Sequence, residues 1–341
     1  MPFSTSSIFG ERDNFQAALS KEGGLKQFVT VHGQFRARMI QVELEHLRLS
    51  AIEESLPRIG FLAVPASKIL VSFPMGDQPA PVWGGISPRN NELMTFGPGY
   101  RGHMRTEGRC QWGAIWVSAQ VLEEYFRAMT ELTLSIPPVA RRWRAAPAAY
   151  RSLLQLHATA IRAAKRQTEA IVSAEAVHGM EQQLIEDLVE CLQAGRAHQE
   201  TPATHRRQEI MVRFEDLLRT QPDRHMRADE LSAAIGVSAR LLQMCCKNIL
   251  GMSPTSYVRL RALYRVRCIL RRDDPGAKSV SRVARSQGFR ALGRFAAVYR
   301  SLFGELPSAG LRRGLHRVRI SSNTSPPARS ARDAHCCRSM E

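Results

Sequence analysis

The sequence predicts an α+β chain in four parts: a β-rich amino-terminal domain over residues 1–135, a helical connector over 136–205, an all-α domain with two helix-turn-helix units over 206–313, and a disordered tail over 314–341. Three observations predict it. Short alternating runs broken by Gly and Pro fill residues 28–118, apolar spacing then changes to threes and fours, and residues 207–313 repeat internally. With 341 residues, 44% of them apolar, the chain can build two domains of ordinary size, each with its own core.

Composition excludes several classes. Charged residues of both signs make up 23% of the chain, against a mostly disordered or collagen-like protein. The best apolar run, residues 59–73, is interrupted by Pro65 and Lys68. It falls short of the roughly 18 apolar residues a membrane helix needs, so no membrane partner is expected. Residues 1–13 are rich in Ser and Thr, lack an apolar core and carry Glu11 and Asp13, which is not the pattern of a secretory signal. The seven cysteines (Cys110, Cys191, Cys245, Cys246, Cys268, Cys336, Cys337) are irregularly spaced, with no CxxC and no Cys/His cluster. That fits reduced, packing thiols and a cytoplasmic location. Neighbours on a helix point about 100° apart, so a Cys245–Cys246 disulfide would be strained.

The net charge of +17 is concentrated: residues 206–319 hold 24 Lys and Arg against 9 Asp and Glu, while residues 1–205 hold 21 against 20. A basic block joined to a near-neutral one is the pattern of a polyanion-binding module attached to another domain. A merely soluble basic domain would show the same charge.

In chain order, the alternation of residues 42–49 reads as one strand, and turn residues in 79–85 and 97–108 separate further strands. The β-rich part is therefore a sandwich or small barrel. Beyond Ser118, Val177, Met180, Leu184, Ile185, Leu188, Val189 and Leu192 keep helical period for about four turns. This stripe must be buried, either on the β domain or on a second copy in a homodimer. Residues 195–205, polar and holding Gly195 and Pro202, read as a linker.

The internal repeat is the most informative feature. Leu231-Ser232, Gly236-Val237, Leu242, Cys246, Gly251 and Pro254 recur as Val283-Ala284, Gly288-Phe289, Phe295, Tyr299, Gly304 and Pro307, with one extra residue in the second turn. Small Ser232 and Ala284 let a second helix cross closely, and the Gly four residues on supplies the positive φ of a tight interhelical turn. The i, i+4 pairs Leu242/Cys246 and Phe295/Tyr299 fix one face of each second helix to the core. Gly251 and Gly304 end those helices, and the prolines prevent continuation. Outward faces are left with Arg240, Gln243, Met244 and Lys247 in the first copy, and Arg290, Arg294, Ala297 and Arg300 in the second. Arg and Gln pair bidentately with guanine and adenine edges, and Lys and further Arg hold phosphates. Singly, each reads as a solvated charge; as a set on two such helices they point to double-stranded DNA. Between the copies, Tyr257, Leu260, Leu263, Val266, Ile269 and Leu270 form a helical strut that Asp273, Asp274, Pro275 and Gly276 terminate. Arg259, Arg261, Arg265 and Arg267 are expected around it as phosphate contacts.

At these residues the sequence resembles the AraC/XylS family of bacterial transcription regulators. Val237-Ser238, residues 251–257 (GMSPTSY), Val283-Ala284 with Gly288-Phe289, and Phe295 with Tyr299, residues 303–304 and Pro307 match its two-motif domain. The resemblance covers about 107 residues, 207–313, and rests on spacing across two linked motifs. It implies a seven-helix DNA-binding domain with recognition helices in successive major grooves, base contacts from Arg240, Gln243, Met244, Arg290, Arg294 and Ala297, and transcription activation with RNA polymerase as partner. It also implies an amino-terminal domain, often a cupin-like barrel, that senses a small-molecule effector or dimerises. The overall pattern is most similar to regulators of amine or aromatic-compound catabolism. The sequence departs from the family at Cys246, usually aromatic, at Gln287, usually apolar, and at Gly293, a poor helix residue.

Enzyme readings find little support. His32, His46 and His103 form no ligand-spaced metal motif, Gly97, Gly99 and Gly102 lack a following Lys-Ser/Thr, and no Gly-x-Ser-x-Gly is present. No catalytic residue, metal or cofactor is expected. Trp83, Phe96, Tyr100, Trp112 and Trp116 are either effector-pocket or core residues, and Arg101 and Arg105 either pair with a ligand carboxylate or face solvent. The alternatives are a regulator whose amino-terminal half is a ligand-free dimerisation module and, behind it, a cupin-type metal enzyme.

Overall fold

A computed structural model describes residues 3–23, 26–76, 78–166, 174–198, 201–221, 226–271 and 279–312. The expected tail (314–341) and helix stop (273–276) lie outside them. The chain runs β1 (Phe3–Phe9), α1 (Arg12–Gly23), β2 (Lys26–Val29), β3 (Ala37–Glu43), β4 (Leu47–Glu54), β5 (Arg58–Ala63), β6 (Lys68–Pro74), β7 (Val82–Trp83), β8 (Glu92–Phe96), β9 (Arg101–Arg105) and β10 (Cys110–Ser118). It continues as α2 (Ala119–Thr130), β11 (Ala140–Arg144), α3 (Pro147–Arg166), α4 (Ala174–Gln193) and β12 (Arg196–Ala197). The helices α5 (Pro202–Thr220), α6 (Ala228–Ala234), α7 (Ala239–Leu250), α8 (Pro254–Arg271), α9 (Val280–Ser286) and α10 (Leu292–Phe303) follow.

The strands form an eight-stranded sheet, in the order β1-β3-β4-β10-β6-β8-β11-β12, and a four-stranded sheet, β2-β5-β9-β7. Each described pairing is antiparallel. Alternation of side chains then builds a layered molecule. One face of the large sheet (Leu49, Val71, Phe73, Ile115, Val117) packs under α2, α3 and α4 through Leu122, Leu153, Leu184, Ile185, Leu188 and Val189. Its other face (Met39, Ile52, Leu70, Phe96, Trp112) meets Leu62, Trp83 and Met104 of the small sheet. The outer face of the small sheet, at Phe28 and Ile59, joins the core of the carboxyl-terminal helices.

Several expectations change. Residues 42–49 form a hairpin and not one strand: Leu44 N–H donates to Leu47 O at 2.8 Å, and the two sides pair with Glu43 opposite Arg48. A short turn preserves in/out alternation, so the sequence pattern ran through it unbroken. Residues 97–108 hold β9 and not only turn. The stretch 136–205 is not purely helical, because β11 and β12 extend the large sheet. The end of the expected linker is already helix: Pro202 is the first residue of α5, whose cap is the Thr201 hydroxyl accepting from Thr204 N–H at 3.3 Å. The 177–192 stripe packs on the β domain of its own chain, the first of the two expected arrangements.

Under α3, His157 donates through Nε2 to Ser50 O at 3.2 Å and stacks edge-on against Phe73 at 5.0 Å. Burial lowers its pKa from 6.5 to about 4, only partly opposed by that hydrogen bond. Below pH 6.5 the unfolded chain therefore takes up a proton that the folded chain refuses. Stability is expected to fall by up to about 3 kcal/mol as pH drops from 6.5 towards 4. Urea melts should show a flatter pH dependence in that window for His157→Leu; an identical slope would exclude this origin.

Candidate nucleic-acid interface

The two repeat copies fold into matching units. Val237 N–H donates to Ser232 O, and Phe289 N–H to Ala284 O, both at 3.0 Å, with Gly236 and Gly288 at φ 69° and 81° between the helices. Buried Ser232 and Ala284 sit where the helices cross, and Leu242, Cys246, Phe295 and Tyr299 pin the second helices to the core. The copies differ at the start of those helices. Ser238 caps α7 by accepting from Leu241 N–H at 3.2 Å, whereas Ala291 precedes α10 with no side chain able to cap it. Between the units, α8 runs 18 residues, about 27 Å.

Arg240, Gln243, Met244 and Lys247 are all exposed on one side of α7, with Met244 49% accessible. Arg294, Ala297 and Arg300 are exposed on α10, while Arg290 lies in the turn before it and not on the helix. None of the five basic side chains in this set pairs with an acid among the described residues.

Basic residues on the opposite side are spent internally, and two expectations fail there. Arg261 is buried beneath Glu215 of α5, to which it donates, so it cannot reach a phosphate. Arg267 is largely covered, with Asp13 at 3.9 Å, Glu305 at 3.7 Å and the Phe303 ring 4.8 Å away. Arg259 is exposed.

Around Glu215 lies a polar seam that joins the helices to the small sheet. Tyr257 OH donates to Glu215 Oε2 at 3.1 Å, and His103 Nε2 of β9 stands 3.3 Å from the same oxygen. Burial alone would raise the Glu215 carboxyl; Arg261 and His103 outweigh it and hold the group well below the usual carboxylate range. Strand β9 alternates across this seam: Met104 points into the core between the sheets, and Arg101 and His103 point out. Arg101 clasps Asp216 in a fork, one arm at 2.9 Å, and the stem of Arg105 lies beside Gly251 at the end of α7. Gln208 Nε2 donates to Gly84 O at 3.2 Å, and Tyr264 OH to Val29 O at 2.9 Å. At the far end Arg271 bridges Asp13 (3.2 Å) and Glu305 (3.0 Å), tying α1 to the helical domain. The carboxylate partner of Arg101 is thus Asp216 of its own chain.

The five aromatic candidates are buried between the sheets and pack on one another, Trp83 lying 4.7 Å from Phe96 and 5.6 Å from Trp112. His103 serves the seam, and the His32 ring lies against Gly304. Cys110, Cys191, Cys245 and Cys246 are buried free thiols, and burial pushes Cys191 and Cys246 up to about 12. Sequence reasoning missed the seam, although charged Glu215 stands within the apolar stripe of Ile210, Met211, Phe214 and Leu218, a signal that could have found it.

Residues 231–313 match the family model of a helix-turn-helix domain. The chain is 38% identical over 96 residues to XylDLEGF operon transcriptional activator 2 of Pseudomonas putida, a match covering 28% of this chain and 60% of that protein. It is 33% identical over 97 residues to the "Probable thc operon regulatory protein" of Rhodococcus erythropolis, covering 28% and 29%. The chain thus spans less than two thirds of either relative. Among solved structures the AraC-like transcriptional activator CuxR is similar at 11% identity and a TM-score of 0.37, over 78% of this chain and 94% of that one, too distant to add to the assignment.

Glu215→Gln would leave the Arg261 guanidinium buried without its counter-charge, and a loss of about 3–5 kcal/mol in urea unfolding is expected. A loss under about 1 kcal/mol would mean that solvent already reaches the seam.

Proposed function

We propose that this chain, whose residues 231–313 form a helix-turn-helix domain of the AraC/XylS type, is a sequence-specific DNA-binding transcription regulator and not an enzyme. The observation that carries the reading is the sorting of basic residues. Those facing the amino-terminal domain are matched to acids, and those on the outward sides of α7 and α10 are left to an external polyanion. Arg240, Gln243 and Met244 read bases in one major groove and Arg290, Arg294 and Ala297 in the next, while Lys247 and Arg300 hold phosphates. With α8 about 27 Å long, the two heads suit groove segments roughly one turn, about 34 Å, apart. The protein acts as an activator, in keeping with the names of its relatives, and on this reading it works in the cytoplasm with RNA polymerase as partner. The division at about residue 205 assigns sensing to the amino-terminal portion and DNA contact to residues 206–313.

A small-molecule effector acting between the two sheets is supported by three buried donors with no acceptor among the described residues: Trp83 Nε1, Trp112 Nε1 and Tyr100 OH. A ligand bearing oxygen acceptors would satisfy them. Homodimerisation belongs to the same reading, through a surface other than the buried 177–192 stripe.

Sheared genomic DNA retained by the full-length protein at physiological salt should be enriched in sites with two half-elements about 10 bp apart. Retention indifferent to sequence and lost with modest salt would leave only a basic surface. Arg294→Ala should relax base preference at one end of the site, costing about 1–3 kcal/mol, as quantitative binding to base-substituted sites would reveal. Lys247→Ala should weaken all sequences alike and reduce the salt slope by about 1.

A further inference from the structure

The far side of the large sheet carries a cluster that the DNA-binding reading does not use. Glu45 and His46 form the tip of the β3–β4 hairpin, and His178 and Glu181 lie three residues apart on α4, hence on one helix face. One donor atom each from Glu45, His178 and Glu181 lie within 4.8 Å of one another. Glu181 is only 3% exposed, and its Oε1 accepts from His46 N–H at 2.6 Å and Leu47 N–H at 2.9 Å. Those two bonds hold the carboxylate in one orientation, so an ion meets a ligand whose position is already fixed. His46 Nε2 stands 3.9 Å from Glu45 Oε1, within reach as a fourth donor.

We propose that Glu45, His178 and Glu181, with His46, form a binding site for a borderline divalent cation of the zinc type. Two carboxylates balance its double charge, and the imidazoles favour zinc-like ions over calcium and magnesium, which prefer oxygen alone. Donors around one such ion stand about 3.4 Å apart. Exposed Glu45 and His178 close the remaining distance by rotation of their side chains. Bound there, the ion ties the hairpin to α4 and clamps the helical layer to the large sheet. The ligands come in two pairs far apart in sequence, so no spacing motif announces them.

The test uses the full-length, tag-free protein, stripped with chelator and titrated with Zn²⁺ and with Co²⁺. Expected are saturable binding, a rise in Tm with Zn²⁺, and a Co²⁺ spectrum with visible d–d bands but no thiolate charge-transfer band. Glu45→Gln and His178→Ala change exposed side chains and should each weaken Zn²⁺ binding on the order of tenfold or more while leaving the metal-free Tm and DNA binding unchanged. Absence of binding at millimolar Zn²⁺, a thiolate band, or undiminished binding in both variants would each overturn the site. None of these outcomes bears on the DNA-binding reading.

Discussion

The buried contact between Glu215 and Arg261 is the constraint on which the arrangement of this molecule turns. Two charges withdrawn from water add little net stability, because desolvation consumes most of their attraction. Their effect is on orientation. Arg261 sits in the strut between the two helix-turn-helix units, Glu215 on the helix that enters the domain, and the same carboxylate meets Tyr257 and His103. A rotation of the helical domain against the small sheet would leave the buried Glu215 carboxylate without its His103 partner. Phe28 and Ile59 supply area to this interface; the polar groups select one docking among the many that apolar area alone would allow.

The same logic explains how so basic a domain coexists with a near-neutral partner. Its arginines divide by what they face. Arg261, Arg267 and Arg271 meet Glu215, Asp13 and Glu305, so their charge is neutralised where it would otherwise be buried or crowded. The basic side chains on the outward faces of α7 and α10 are left without an acid among the described residues. A net charge counted along the chain thereby becomes a field with direction, which steers a polyanion towards one surface of the domain.

Legibility in the sequence followed the range of the interactions. The helix-turn-helix units were readable because their determinants are local: a small residue, a glycine four positions on, an apolar i, i+4 pair. The β-rich part was readable as a class, yet its strands were not, since a hairpin such as 44–47 keeps alternation running and hides the reversal. Strands β11 and β12 escaped notice because they are short and rely on partners distant in sequence, β11 pairing with β8 and β12 with β11. The seam and the Glu45/His178/Glu181 cluster are contacts between distant segments; the charge of Glu215 on an apolar face hinted at the seam, and nothing in the sequence pattern hinted at the cluster. Arg261 illustrates the cost: composition made it a phosphate ligand, and tertiary contact made it a counter-ion.

Strand β9 presents Met104 to the space between the sheets and, one residue earlier, His103 to the seam. In a pleated strand such neighbours share a peptide plane, and no side chain can be pushed from one face without the backbone carrying its neighbour along. The two domains are therefore separated by the thickness of one polypeptide, and a displacement arising on the inside arrives outside with no intervening joint in which to dissipate. The stiffness of the sheet, more than any chain of contacts, would set how faithfully the two halves move together.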